Sequence, residues 1–260
     1  QTVETSLAEE HTGLVVFIDE IQSADPDGLR TLAYAWQHLQ SEAPDLRAAV
    51  FAAGLPNSPE TLADAVTFSE RLFAYRHLGY LEEQAALLAL ARPASLLGVR
   101  WEPDALRAAA TAADGYPYFV QLVGDSVWKS AGYPESGFAI TVEHVRAARA
   151  VMREDQEALY RARWLNASRL EQRVMTAMAR LGDGPVSRAE VARLVNLTMS
   201  ATSEPRQRLL DKGLIEAPAR GMLSFPIPGF AAYIRERVSG ELPPQPPRSD
   251  LPPSPPWLDQ

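Results

Sequence analysis

Two adjacent carboxylates, Asp19 and Glu20, close the run Gly13-Leu14-Val15-Val16-Phe17-Ile18. Such a pair can divide one task. The first holds a divalent cation such as Mg²⁺, and the second orients and polarises a water for attack. A second set of candidate groups is basic: Arg188, Arg193, Arg206, Arg208, Lys212 and Arg220. Such groups suit phosphate oxygens, which supply affinity without reading base sequence. Other chemistries lack their residues. The chain has no cysteine, so thiol and disulfide chemistry are excluded. The four histidines (His11, His38, His77, His144) show no metal-ligand spacing. The only lysines are Lys129 and Lys212, and neither lies in the glycine-rich turn that cradles phosphates.

Elements must carry these groups to a ligand. The run before Asp19 is apolar on both faces, which predicts a central strand of a parallel sheet covered by helices. The carboxyl end of such a strand is where open α/β sheets bind ligands. Asp25-Pro26 predicts the start of a helix, with Asp as N-cap and Pro at the first position. Leu29, Leu32, Ala33, Trp36 and Leu39 then share one face. Leu46 to Ala53 reads as the neighbouring strand, and 54–59 as its polar, turn-rich exit. Residues 60–78 read as helical and then irregular. From 81 to about 150 helical periodicity dominates, over 81–91, 103–113, 117–130 and 141–160, with no obvious strand.

A separate unit is expected at 165–240. Leu170, Val174, Met178 and Leu181 mark its first helix, and Ser187 caps a short second one. A third runs to Asp211-Lys212 and stops at Gly213. Leu214 to Glu216 and Met222 to Phe225 flank a turn, a hairpin signal. This order predicts a winged helix-turn-helix. Arg206, Arg208 and Lys212 fall on its third helix, Arg188 and Arg193 on the second, and Arg220 at the wing tip. Residues 241–260 hold eight prolines and little to bury, the pattern of a disordered or polyproline II tail; Pro-Pro-Gln-Pro-Pro-Arg there is either a PxxP ligand or plain solvated chain.

The chain of 260 residues is 46% hydrophobic and 22% charged, the composition of a soluble globular protein. No apolar run reaches the roughly 18 residues of a membrane span, and the first residues show no signal-peptide pattern. A cytoplasmic protein without a membrane partner is expected. The net charge of −8 argues against nucleic-acid binding by the whole chain. It is uneven, however. Residues 168–240 carry 11 Arg or Lys against 7 Asp or Glu, which leaves −12 for the rest.

Ile18-Asp19-Glu20-Ile21-Gln22-Ser23-Ala24-Asp25, followed by a helix, resembles the Walker B region of AAA+ ATPases and their STAND relatives. Gly115-Tyr116-Pro117-Tyr118-Phe119-Val120-Gln121 is similar to a lid-helix motif of archaeal-type ATPases in that group. The order of Walker B, second strand, helical lid and winged helix is more specific than any one part, and covers roughly 13–240. The fold class it implies is α/β: a partial P-loop NTPase core (1–80), a helical lid (81–164) and a winged-helix domain (165–240), before the tail (241–260). It implies ATP and Mg²⁺ as cofactors, with Asp19 on the metal and Glu20 on the water. Both are expected only with a P-loop part that the chain lacks, since 12 residues precede Gly13. Asn57 matches either the sensor residue after the next strand or an ordinary turn residue. Arg71 matches either an arginine finger acting on a neighbouring subunit or a surface ion-pair residue. Tyr118 stands near the place of the second sensor arginine, a departure that STAND proteins share. The implied function is a nucleotide-dependent ATPase fragment acting on duplex DNA, a protein partner or a homo-oligomer. The alternative is a non-enzymatic DNA-binding regulator or adaptor built on a degenerate ATPase core.

Overall fold

The computed structural model describes residues 13–43 and 45–239. The expectations for 241–260 and for the first 12 residues lie outside them. Strand β1 (Leu14–Ile18) pairs in parallel with β2 (Ala48–Ala52), Val16 opposite Val50. Between them runs α1 (Pro26–Glu42), which begins as predicted: the Asp25 carboxylate accepts from Gly28 N–H at 2.9 Å. Leu29 and Ala33 are buried and Leu32, Trp36 and Leu39 half-buried, so the predicted face is the covered one. Two short helices follow, α2 (Ser58–Ala65) and α3 (Ser69–Leu72).

The expected cover on both faces of β1 is absent among the described residues. Phe17 is 78% and Phe51 58% exposed, and their rings stack with centroids 5.6 Å apart. Val15 is exposed beside them. Among the described residues, the small core around Ile21, Leu29 and Leu62 meets β1 at Ile18.

The helical region has four helices that start within two residues of the predicted positions, and the first and last run five residues past the predicted ends. It comprises α4 (Glu83–Leu96), α5 (Pro103–Ala113), α6 (Pro117–Ser130) and α7 (Val142–Leu165). It does contain strands, contrary to expectation: β3 (Arg100–Trp101) pairs in parallel with β4 (Ala139–Ile140). Beyond α7 come α8 (Arg169–Leu181), β5 (Val186–Ser187), α9 (Arg188–Leu194), α10 (Ser203–Asp211), β6 (Met222–Leu223) and α11 (Phe230–Val238). The predicted hairpin is reduced to a single antiparallel bridge, Glu216 to Ser224, while β6 pairs antiparallel with β5. Ser187 stands at the N-cap of α9 but makes no side-chain cap bond, and Leu170 is exposed. Helix α11 was not expected; it packs on α8.

One continuous core runs from Ala86 to Val238 and joins the helical region to the C-terminal unit. Aromatic rings make the joint. Tyr160 lies between Phe119 and Phe230, with ring centroids 6.3 and 5.8 Å away. Its hydroxyl donates to Pro228 C=O at 2.6 Å, and Tyr80 donates to Pro226 C=O at 3.0 Å. Burial, with Glu216 near Tyr80 and Asp114 near Tyr160, pushes both phenols up to about 12.

Candidate functional site

The strand delivers its two carboxylates to the surface. Asp19 and Glu20 are exposed at the carboxyl end of β1. Ala53 N–H donates to Ile18 C=O and Ile21 N–H to Ala53 C=O, which ties this end of β1 to the exit of β2. Between those ties Glu20 takes a left-handed conformation, φ 50° and ψ 45°, rare for a residue with a Cβ. Its N–H donates to Asp19 Oδ1 at 2.9 Å. Its own carboxylate is held: Gln22 Nε2 donates to Glu20 Oε2 at 2.5 Å. Gln22 Oε1 in turn accepts from Leu55 N–H at 3.1 Å. Gln22 was not singled out in the sequence, although it stands two residues beyond the pair.

Asn57 lies in the loop after β2 but turns elsewhere. Its Nδ2 donates to Asp211 Oδ1, 3.0 Å away in α10, and its Oδ1 is buried without a partner. Arg71 is exposed in α3 and makes no ion pair among the described residues.

The basic residues of the C-terminal unit divide into inward and outward groups. Lys212 points inward: its ammonium donates to Glu171 Oε2 at 2.7 Å and to Asn166 C=O at 3.0 Å. Glu171 is 1% exposed and also accepts from Ser168 N–H at 2.7 Å. Burial pushes its carboxyl up, but the Lys212 and Ser168 bonds outweigh that and hold it below its ordinary value. The signal for this carboxylate was available as the capping box Ser168-Arg169-Leu170-Glu171. Arg188 donates to Met199 C=O and Ser203 Oγ, both at 2.8 Å, so it braces the start of α10. Arg206 is half-buried; burial and the nearby Arg188 charge lower its pKa. Arg193, Arg208 and Arg220 are exposed, Arg208 beside Glu204 at 2.6 Å.

Comparison with solved structures gives a chain of similar build. The Aeropyrum pernix ORC2 protein, solved as ADPNP-ADP complexes, matches with a TM-score of 0.58 and 18% identity, over 90% of this chain and 66% of that one. The fold is AAA+ ATPase-like. The Thermotoga maritima RuvB Holliday junction branch migration motor matches over 92% of this chain and 76% of its own, at 17% identity and a TM-score of 0.46. The family model described as "Domain of unknown function (DUF8462)" matches residues 157–234, from within α7 to within α11. No curated protein gives a match.

A nucleotide and its Mg²⁺ are the groups such a fold implies. The carboxylates fit the cation in part, since Mg²⁺ needs only one or two alongside water and phosphate oxygens. No cluster of three or more His, Asp or Glu that could hold a metal alone occurs among the described residues. The phosphates find no fit there. Lys129 is paired with Asp125 at 2.6 Å and Lys212 with Glu171. At the start of α1, the Gly28 N–H is already taken by the Asp25 side chain.

Proposed function

We propose that this chain is the Walker B-bearing part of an AAA+/STAND-type nucleotide-dependent protein, with a core to residue 80, a helical lid over 81–164 and a winged-helix module over 165–240. Asp19 is the cation-holding group and Glu20 the water-polarising one. Arg71 acts towards a neighbouring subunit, and the nucleotide's phosphates are cradled outside the described residues. One observation carries the reading: an exposed Asp-Glu pair at the carboxyl end of a parallel strand, in a chain of AAA+-like fold. The bonding of Asn57 to Asp211 favours a joint residue over a sensor. The three helices and the paired β5 and β6 support the winged-helix reading. Arg193, Arg208 and Arg220 are its outward basic groups, and duplex DNA its partner through phosphates.

The alternative is a non-enzymatic regulator or adaptor on the same core. It is favoured by the engagement of both lysines in ion pairs. Calorimetry separates the two. This chain alone shows no micromolar binding of Mg-ATP, because no described residue fits the phosphates. A form carrying a phosphate-binding loop ahead of Gly13 binds and hydrolyses ATP, and Glu20→Gln keeps the binding while losing hydrolysis. Micromolar binding by the chain alone overturns the account of the core. Parental hydrolysis by Glu20→Gln overturns the role of Glu20, and no binding by the extended form leaves the adaptor reading.

A further inference from the structure

A line of contacts runs from the exposed carboxylate pair to the end of α10 in the C-terminal unit. Gln22 is its first member. Its amide orientation is fixed by its partners: Leu55 N–H can only donate, so the oxygen faces Leu55 and the NH₂ faces Glu20. Space for the amide exists because residue 54 is glycine. A Cβ there would stand 2.5 Å from Gln22 Oε1 and 2.3 Å from Ser58 Oγ. Leu55 C=O accepts from Ser58 Oγ at 2.6 Å and from Ser58 N–H at 2.9 Å, which closes the loop into a tight turn.

The same turn meets the C-terminal end of α10, whose body packs on α8. Leu55 packs on Gly213, where a Cβ would come within 2.9 Å of Leu55 Cδ2. Asn57 donates to Asp211, which also accepts from Gln207 at 3.0 Å. One loop therefore touches both the Glu20 clamp and the end of α10: Leu55 meets Gln22 and Gly213, Ser58 meets Gln22, and Asn57 meets Asp211.

We propose that Gln22 is the positioning residue of the Glu20 carboxylate and that it passes the docking of α10 on the 54–58 turn to that carboxylate. The proposal rests on Glu20 being the water-polarising group; the contact line itself does not. While α10 is seated, Leu55 N–H holds the Gln22 amide and the amide holds Glu20 in place. When the end of α10 and Gly213 lift off the turn, it loses Leu55–Gly213 and Asn57–Asp211, the amide is released, and Glu20 becomes free to turn.

The test is solution NMR of the full chain, reading the Gln22 side-chain NH₂ signals and the exchange of Leu55 N–H. Gln22→Ala is expected to speed Leu55 exchange about tenfold, the effect of one lost hydrogen bond. Asp211→Ala is expected to shift the Gln22 NH₂ signals, whereas the exposed control Arg146→Ala leaves them in place. Gly54→Ala gives a second route, since it displaces the amide without removing it; it is expected to reproduce the faster Leu55 exchange with circular dichroism unchanged. The proposal is overturned if the Gln22 signals ignore Asp211→Ala, or if Leu55 exchange is unchanged in both Gln22→Ala and Gly54→Ala. None of these readouts requires nucleotide. A chain that never hydrolyses ATP but shows the shifts retains the relay and loses only the activity.

Discussion

Lys212 shows how far a single side chain can depart from its helical position. Helix spacing puts it on a basic face with Arg208, yet its ammonium is taken by a carboxylate 41 residues earlier. A buried carboxylate left without its cation is costly. Lys212→Met is therefore expected to lower unfolding free energy by about 2–3 kcal/mol, less than for a fully enclosed pair because Lys212 keeps part of its side chain in water. The pH dependence follows from the depressed Glu171 value. Its contribution is fully present above the ordinary glutamate value of 4.5 and is lost as pH falls through the lower folded one. Urea unfolding at neutral pH and at a series of acidic values should show the parent losing more stability to acid than Lys212→Met. An equal loss in both proteins would mean that the pair is not formed in solution.

At the scale of elements, two helix stops use glycine under different constraints. Gly213 follows α10 at φ 60°, with Gly213 N–H bonded to Leu210 C=O and Leu214 N–H to Leu209 C=O. Gly115 follows α5 at φ 66° and accepts from Leu81 N–H at 2.7 Å. An added methyl at 213 meets the tip of Leu55, which can move; at 115 it meets Leu81 C=O at 2.6 Å, which is backbone. Gly213→Ala is expected to cost about 1 kcal/mol and Gly115→Ala roughly 2–3 kcal/mol. Thermal unfolding of the two variants checks the order, and a reversed order would move the critical contact to Leu55. These stops also explain what could be read from the sequence. Helices α5 and α6 each begin with proline at the first position, and α5 ends at Asp114-Gly115, so both sets of bounds were legible. Strands β3 and β4 were not, because two residues are too few to show alternation. Helix α11 was hidden by Pro226, Pro228 and Gly229, which read as loop and in fact lead to a left-handed N-cap. At the site, the carboxylate pair was legible because local sequence makes it. The partners of Asn57 and Lys212 were not, because each lies across the fold and leaves no periodic trace.

For the whole molecule, the distribution of charge matters more than its sum. The C-terminal unit carries the cationic excess, and Arg208 and Arg220 are exposed on it. Association of the full chain with a labelled duplex, read by fluorescence anisotropy, is expected to be weak, poorly selective and steeply salt-dependent. Arg208→Ala combined with Arg220→Ala should reduce the slope of log affinity against log salt by about two units. No binding at low salt, or an unchanged slope, would make this unit a protein-docking or packing element instead. The continuous core between the helical region and this unit means that such a duplex would meet both as one body.

The stacked pair Phe17 and Phe51 has a colloidal consequence. Two molecules that meet on this face remove aromatic surface from water, a gain that salt does not weaken. What keeps them apart is the net charge of −8, felt only over a Debye length. Light scattering should therefore show apparent mass rising with protein concentration, and rising further as salt is added. Phe17→Thr with Phe51→Thr keeps strand-forming residues and removes the aromatic surface, so it should flatten that rise. A salt-independent mass in the parent would show the face to be harmless. Otherwise the solubility of this protein follows salt in the same direction as the proposed duplex association: low salt favours both dispersion and the duplex, and high salt favours neither.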